Sequence, residues 1–182
     1  MIADLFGMQK GVMISHRNVI ANVMQISAFE KPARATRQDD STEVVLGLLP
    51  LSHIYGLVVI AQASTYRGDG VIILPKFELQ SYLNGIQNYK IMTLYLVSQG
   101  QINEQLQLIL DQVPPIIIQM AKNQQACSKY DLSSVRAIFT GAAPLGAETA
   151  EELQNIYPSW KIRQGYGTDP LSQPHSLRNI AC

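Results

Sequence analysis

Val44-Val-Leu-Gly-Leu-Leu-Pro-Leu-Ser-His-Ile-Tyr-Gly56 sets the architecture expected of this chain. Its first half, Val44–Leu49, is a short, near-continuous apolar run of the kind found in strands covered on both faces. Pro50 punctuates it, and from Ile54 to Tyr66 the pattern has the length of a helix. The unit is strand, short loop, helix, and it recurs. Further strands are expected at Val71–Leu74, Met92–Val97, Ala137–Thr140 and Lys161–Gln164. Helices are expected at His16–Phe29, Leu79–Tyr89, Pro115–Asn123 and Ala147–Tyr157. In the first of these, Ser15 suits the N-cap, and Asn18, Asn22 and Gln25 fall on a polar face opposite Val19, Val23 and Ile26. Such alternation predicts an α/β fold with a parallel sheet and right-handed crossovers.

Ligands of such sheets collect at the loops leaving the carboxyl ends of strands. Three of these loops carry unusual residues: Pro50-Leu-Ser-His-Ile-Tyr-Gly56, Thr140-Gly-Ala-Ala-Pro-Leu145 and Gly165-Tyr-Gly-Thr-Asp169. In the last, two glycines allow close backbone approach and Tyr166 offers a flat face for a base. Thr168 offers a hydroxyl for phosphate, and Asp169 a carboxylate for hydrated Mg²⁺. The small residues Gly141, Ala142 and Ala143 leave backbone amides and carbonyls open to a flat ring. His53 stands where an imidazole meets a carboxylate or its activated form. Each loop taken alone fits a plainer structural role better: a polar turn, a tight strand-to-helix connection, a satisfied structural histidine. Lys10, in Gly7-Met-Gln-Lys-Gly11, has the form of the end of a phosphate loop, without the Ser/Thr/Gly-rich stretch that precedes one.

Composition narrows the classes. Over 182 residues, Lys+Arg and Asp+Glu both number 14, and no basic stripe interleaves with aromatics, so nucleic acid is not the expected partner. Cys127 and Cys182 lie far apart, outside any metal-binding spacing, which argues for a reducing, intracellular setting, cytoplasmic by default. No apolar run approaches the roughly 20 residues of a membrane span, and the first residues do not read as a signal peptide.

The order of the motifs is more specific than any one of them. Gln9-Lys-Gly-Val-Met-Ile-Ser-His-Arg-Asn18 is followed by Pro50–Gly56, then Lys129-Tyr-Asp-Leu-Ser-Ser134, Thr140–Leu145 and Ile162-Arg-Gln-Gly-Tyr-Gly167. This succession, over about residues 7–167, resembles the large N-terminal domain of the adenylate-forming (AMP-binding) superfamily. The likeness is to its branch of 4-coumarate–CoA ligase, acyl-CoA synthetase and firefly luciferase. The resemblance implies a partial sheet with flanking helices and a two-step ligase reaction. A carboxylic acid and ATP with Mg²⁺ give an acyl adenylate and pyrophosphate, and the thiol of CoA then displaces AMP. It further implies that Lys10 ends the phosphate loop and that His53 and Tyr55 lie near the acyl and adenylate pocket. Gly141, Ala142 and Ala143 would line the adenine and acyl site. Tyr166, with Gly167, would stack on adenine, Thr168 would contact phosphate, and the metal candidate Asp169 would meet hydrated Mg²⁺.

Departures from the family pattern carry their own expectations. Gly165-Tyr-Gly-Thr-Asp169 is one residue shorter than the family's motif and ends in Asp for Glu. The tail, residues 168–182, matches nothing expected, and the small C-terminal domain of the family is absent from these 182 residues. Ser98–Gln112 is Gln-rich and separates a strand from its helix, where 2–6 residues are usual; it reads as an insertion over about 98–112, either translated intron or an extra helix carrying Ile102, Leu106 and Ile109. The chain is therefore expected to be a fragment inactive alone, with a pseudoenzyme, nucleotide-binding fragment or gene-model artefact as the alternative. Family members are often peroxisomal through a C-terminal address, which Asn179-Ile-Ala-Cys182 is not.

Overall fold

The apolar runs become strands and the periodic segments between them become helices. The computed structural model of the chain describes residues 2–3, 9–10, 13–35, 42–97, 116–141, 145–165 and 177–179. Strands β1 (Ile2–Ala3) and β2 (Gln9–Lys10) form an antiparallel pair. Next come α1 (His16–Ala35), β3 (Val44–Gly47), a π-helix over Tyr55–Gln62, α2 (Ala63–Arg67) and β4 (Gly70–Ile73). Then follow α3 (Leu79–Tyr89), β5 (Thr93–Val97), α4 (Ile116–Lys122), α5 (Gln124–Cys127), β6 (Ala137–Gly141), α6 (Ala147–Ile156), β7 (Lys161–Gly165) and β8 (Leu177–Asn179). The insertion expected at 98–112 lies outside the described residues.

The main sheet has the order β4-β3-β5-β6-β7-β8. Its first five strands run parallel, and β8 is antiparallel to β7. From β3 the chain steps outward to β4, then returns across β3 to β5 and continues outward to β7. One hand of crossover then requires the β3–β4 connection to lie on the opposite face from the rest. The packing follows that rule. Leu46, Leu94, Leu96, Ile138 and Ile162 project to one face and pack with Leu83 and Ile86 of α3, Met120 of α4 and Leu153 of α6. Val45, Tyr95 and Phe139, each one residue out of phase, project to the other face and meet Tyr55 and Ile60 of the π-helix. On the far side of that helix, Val23 and Ile26 of α1 pack with Val58 and Ala63.

The structure changes several local expectations. Ser15 caps α1 as expected, its hydroxyl accepting the Asn18 N–H at 3.2 Å. Asn22, however, is buried, sharing a face with Ile26 and Glu30 at four-residue spacing. Instead of stopping near Phe29, α1 runs through Pro32 to Ala35, because Glu30 and Arg34 are tied down by ion pairs. Arg163 Nη1 lies 2.5 Å from Glu30 Oε2, and its guanidinium stands 5.9 Å over the Phe29 ring. Arg34 makes two hydrogen bonds to Asp69, of 2.7 and 2.8 Å, and sits 2.6 Å from Glu43 without hydrogen-bond alignment. Asp69 also takes Arg67 Nε at 2.8 Å. These pairs fasten α1 across the sheet from β7 to the start of β4. Also unanticipated were the pairing of β1 with β2, the short α5 and the strand β8 in the non-matching tail.

Candidate functional site at the carboxyl edge of the sheet

The switch in winding direction lies between β3 and β5, the place where a crevice opens outside the carboxyl ends of parallel strands. The β3 exit loop enters it and turns back as a π-helix. A wider winding of this kind is rare and concentrates at functional sites. Gly56 makes the turn feasible, since a Cβ there would stand 2.3 Å from Pro50 O and 2.8 Å from Leu49 O. Any side chain would drive the helix start off the strand exit.

Tyr55 is the centre of the edge. Buried at 7% exposure, it donates its hydroxyl to Phe139 O at 2.8 Å and stands 3.5 Å from Leu96 O. The ring meets Tyr95 edge-on at 6.2 Å and lies tilted to Phe139 at the same distance. Its Cε1 is 3.4 Å from where a Cβ on Gly141 would be, and Gly165 O is 3.7 Å from that point. One tyrosine thus touches the ends of β5 and β6 and backs the glycine where β6 runs out beside β7. Burial, reinforced by Tyr95, raises its pKa well above the ordinary phenol value, so it remains a neutral donor. Burial likewise pushes Tyr95 up to about 12.

His53 is half-buried, and its Nδ1 accepts the Tyr55 N–H at 3.1 Å. That bond leaves the proton of the neutral ring on Nε2, and burial lowers the pKa below the usual histidine value. Thr140 Oγ1 is wholly buried at the end of β6 and, among the described residues, has no hydrogen-bond partner. The structure therefore brings His53, Tyr55 and Gly141 to one edge. Lys10 lies elsewhere in sequence and in pairing, in β2 opposite Ile2. Ala142, Ala143, Tyr166, Gly167, Thr168 and Asp169 lie outside the described residues. Tyr95, Phe139 and Gly56 are part of the edge and were not singled out in sequence. Strand alternation carried the signal for the first two, since Tyr95 and Phe139 share the face of Val45.

Chemically the edge offers an aromatic floor, a neutral imidazole and glycine backbone. This suits recognition of flat or apolar groups more than nucleophilic attack. Among the described residues no group of three His, Cys, Asp or Glu side chains is placed to hold a metal ion. Nor, among them, is any helix long and apolar enough to cross a membrane.

Comparison with known proteins gives the edge its context. The AMP-binding enzyme family matches residues 7–168. An acyl-CoA ligase, lcsD, of Purpureocillium lilacinum is 42% identical over 155 residues, covering 85% of this chain and 35% of the ligase. A 4-coumarate–CoA ligase of Vanilla planifolia is 37% identical over 161 residues, covering 88% of this chain and 26% of that protein. Among solved structures, a red-emitting luciferase of Phrixothrix hirtus superposes with a TM-score of 0.65 at 28% identity, covering 91% of this chain and 27% of the luciferase. The chain thus spans about a third or less of these proteins. With five ordered motifs, a parallel sheet and a family match across nearly its whole length, the chain belongs to the AMP-binding enzyme family, among adenylate-forming ligases.

Proposed function

We propose that these residues form part of the acid- and nucleotide-binding portion of a carboxylic acid–CoA ligase. The whole enzyme joins an acid to ATP, releasing pyrophosphate, and passes the acyl group to the thiol of CoA. The observation that carries this reading is the convergence of His53, Tyr55 and Gly141 at the carboxyl edge of the sheet, within the five ordered motifs. In this reading Gly141, Ala142 and Ala143 frame the adenine and the acid. Tyr166 and Gly167 cover the base, and Thr168 and Lys10 meet phosphate. His53 and Tyr55 bound the acyl side. Tyr55 acts there through its ring, because its hydroxyl is already spent on Phe139 O. Mg²⁺ would accompany the phosphates and neutralise their charge, with Asp169 as its candidate carboxylate.

On their own these residues bind without completing the thioester. Arg34, Arg67, Arg163 and Lys90 are each paired with a carboxylate, so these four do not supply the charge compensation that pyrophosphate formation needs. The test is pyrophosphate release by the purified chain with ATP, Mg²⁺ and a panel of aryl, cinnamic and fatty acids. No release above a Tyr166→Ala control is expected, and release above it would contradict the reading of binding without turnover.

A further inference from the structure

Strand β4 ends the main sheet, with β3 on one side and, among the described residues, no strand on the other. The Gly70 N–H bonds Glu43 O at 2.8 Å and the Leu74 N–H bonds Gly47 O at 3.0 Å, so Gly70, Ile72 and Leu74 turn their backbone groups to β3. Alternation then directs the N–H and C=O of Val71 and Ile73 outward. These outward groups have no partner among the described residues.

Natural sheet edges are usually blunted by a charge, a proline or a bulge, because open backbone groups recruit other strands. Gly70-Val-Ile-Ile-Leu74 has no charge and no proline, and its register with β3 is unbroken from Gly70 to Ile73. Pro75 stops the strand only at its far end. Ile73 is 62% exposed, an apolar side chain left in water beside open backbone.

The edge is complementary to itself. A two-fold axis through Ile72 sets Val71 of one copy opposite Ile73 of the other, and the reverse. Those are the residues with outward groups, so each opposed pair exchanges both of its N–H···O bonds. In the same register Ile72 meets its own copy at the closer spacing of a non-hydrogen-bonded pair, and Val71 covers the exposed Ile73. Charges stay apart, because Lys76 comes opposite Gly68 and the two ammonium groups lie at opposite ends of the ladder. The exposed apolar stripe of α1 lacks this property. Its Ile20 and Met24 stand between Arg17 and Lys31, cations that an antiparallel pairing of that helix would bring together.

We propose that β4 is a self-association edge, through which two copies of this chain pair antiparallel over Gly70–Leu74 and join their six-stranded sheets into one. The inference does not rest on the nucleotide reading.

The experiment is sedimentation velocity of the full 182-residue chain across the micromolar range, where so short a ladder should associate. The mass should move from that of one chain, 20.1 kDa, to twice that value as concentration rises. Hydrogen exchange at single amides should show Val71 and Ile73 protected about tenfold or more in the dimer and open in the monomer, with Ile72 and Leu74 protected in both. Ile73→Pro removes an outward N–H that β3 does not use, a change an edge strand tolerates, and should leave a monomer. Ile73→Lys places a charge at the same exposed position and should also leave a monomer, with an unchanged urea midpoint in dilute solution. It decides the matter if the proline variant does not fold. A chain that stays monomeric throughout overturns the proposal. So does a dimer that survives Ile73→Lys, or one whose Val71 and Ile73 amides remain open, since either places the contact elsewhere.

Discussion

At the scale of single residues, Tyr55, Gly56 and His53 depend on one another. Tyr55→Phe removes one buried hydrogen bond while keeping the ring contacts, so stability should fall by only about 1 kcal/mol in urea titration. Gly56→Ala is different in kind. Its methyl would meet backbone oxygens at 2.3 and 2.8 Å, which rigid carbonyls do not relieve. A loss of about 3 kcal/mol or more is expected, visible as a lowered urea midpoint or an unfolded chain. His53 provides a pH signature. Its folded pKa is lowered, so the unfolded state binds the proton more readily and stability rises with pH. That contribution is complete above the unfolded value of about 6.5 and is lost as pH falls through the lower folded value. Urea midpoints measured from pH 7.5 down to pH 5 should fall for wild type (about two and a half pH units of titration,), and more shallowly for His53→Gln. Parallel slopes would contradict the assignment.

Elements show what local pattern reveals and what it hides. The strands and most helices were legible because apolar periodicity is a property of consecutive residues, and the loops at the carboxyl ends followed from the alternation itself. The π-winding was not, because it depends on the Gly56 backbone meeting Pro50, a contact that helix-length patterning does not encode. The extension of α1 was hidden for a similar reason: Glu30 and Arg34 look like solvated charges until Arg163 and Asp69 are brought to them across the fold. Breaking such a buried pair from one side strands a charge. Glu30→Gln or Arg163→Met should each cost about 3–5 kcal/mol, and the double variant Glu30→Leu/Arg163→Met clearly less than their sum. Additive losses in that double-mutant cycle would show that the two residues do not act as a pair. Half of the candidate site was readable in the same way. His53, Tyr55 and Gly141 were placed by their loops, whereas Tyr95 and Phe139 had looked like ordinary strand residues. The insertion at 98–112 makes its own prediction. If it is translated intron, a chain lacking those residues folds at least as stably, and mature transcripts omit the segment. Transcripts that all retain it would sink the intron explanation.

For the whole molecule, membership of the AMP-binding family joins the sheet, its reversed winding and the three exit loops into one account. β5, β6 and β7 are aligned by their parallel register, Tyr55 bolts the ends of β5 and β6, and the glycines at 141 and 165 end their strands side by side. Nucleotide binding at this edge is the claim on which the functional account depends. It is tested most directly by thermal denaturation of the 182-residue chain with and without AMP, alongside Tyr166→Ala. At AMP about a hundredfold above its dissociation constant, linkage adds about 2.7 kcal/mol, and a domain of this size then melts roughly 5–10 °C higher. The account predicts that rise in the wild-type chain and its loss in Tyr166→Ala; a wild-type melting temperature unmoved by saturating AMP, or an equal rise in the variant, would contradict it.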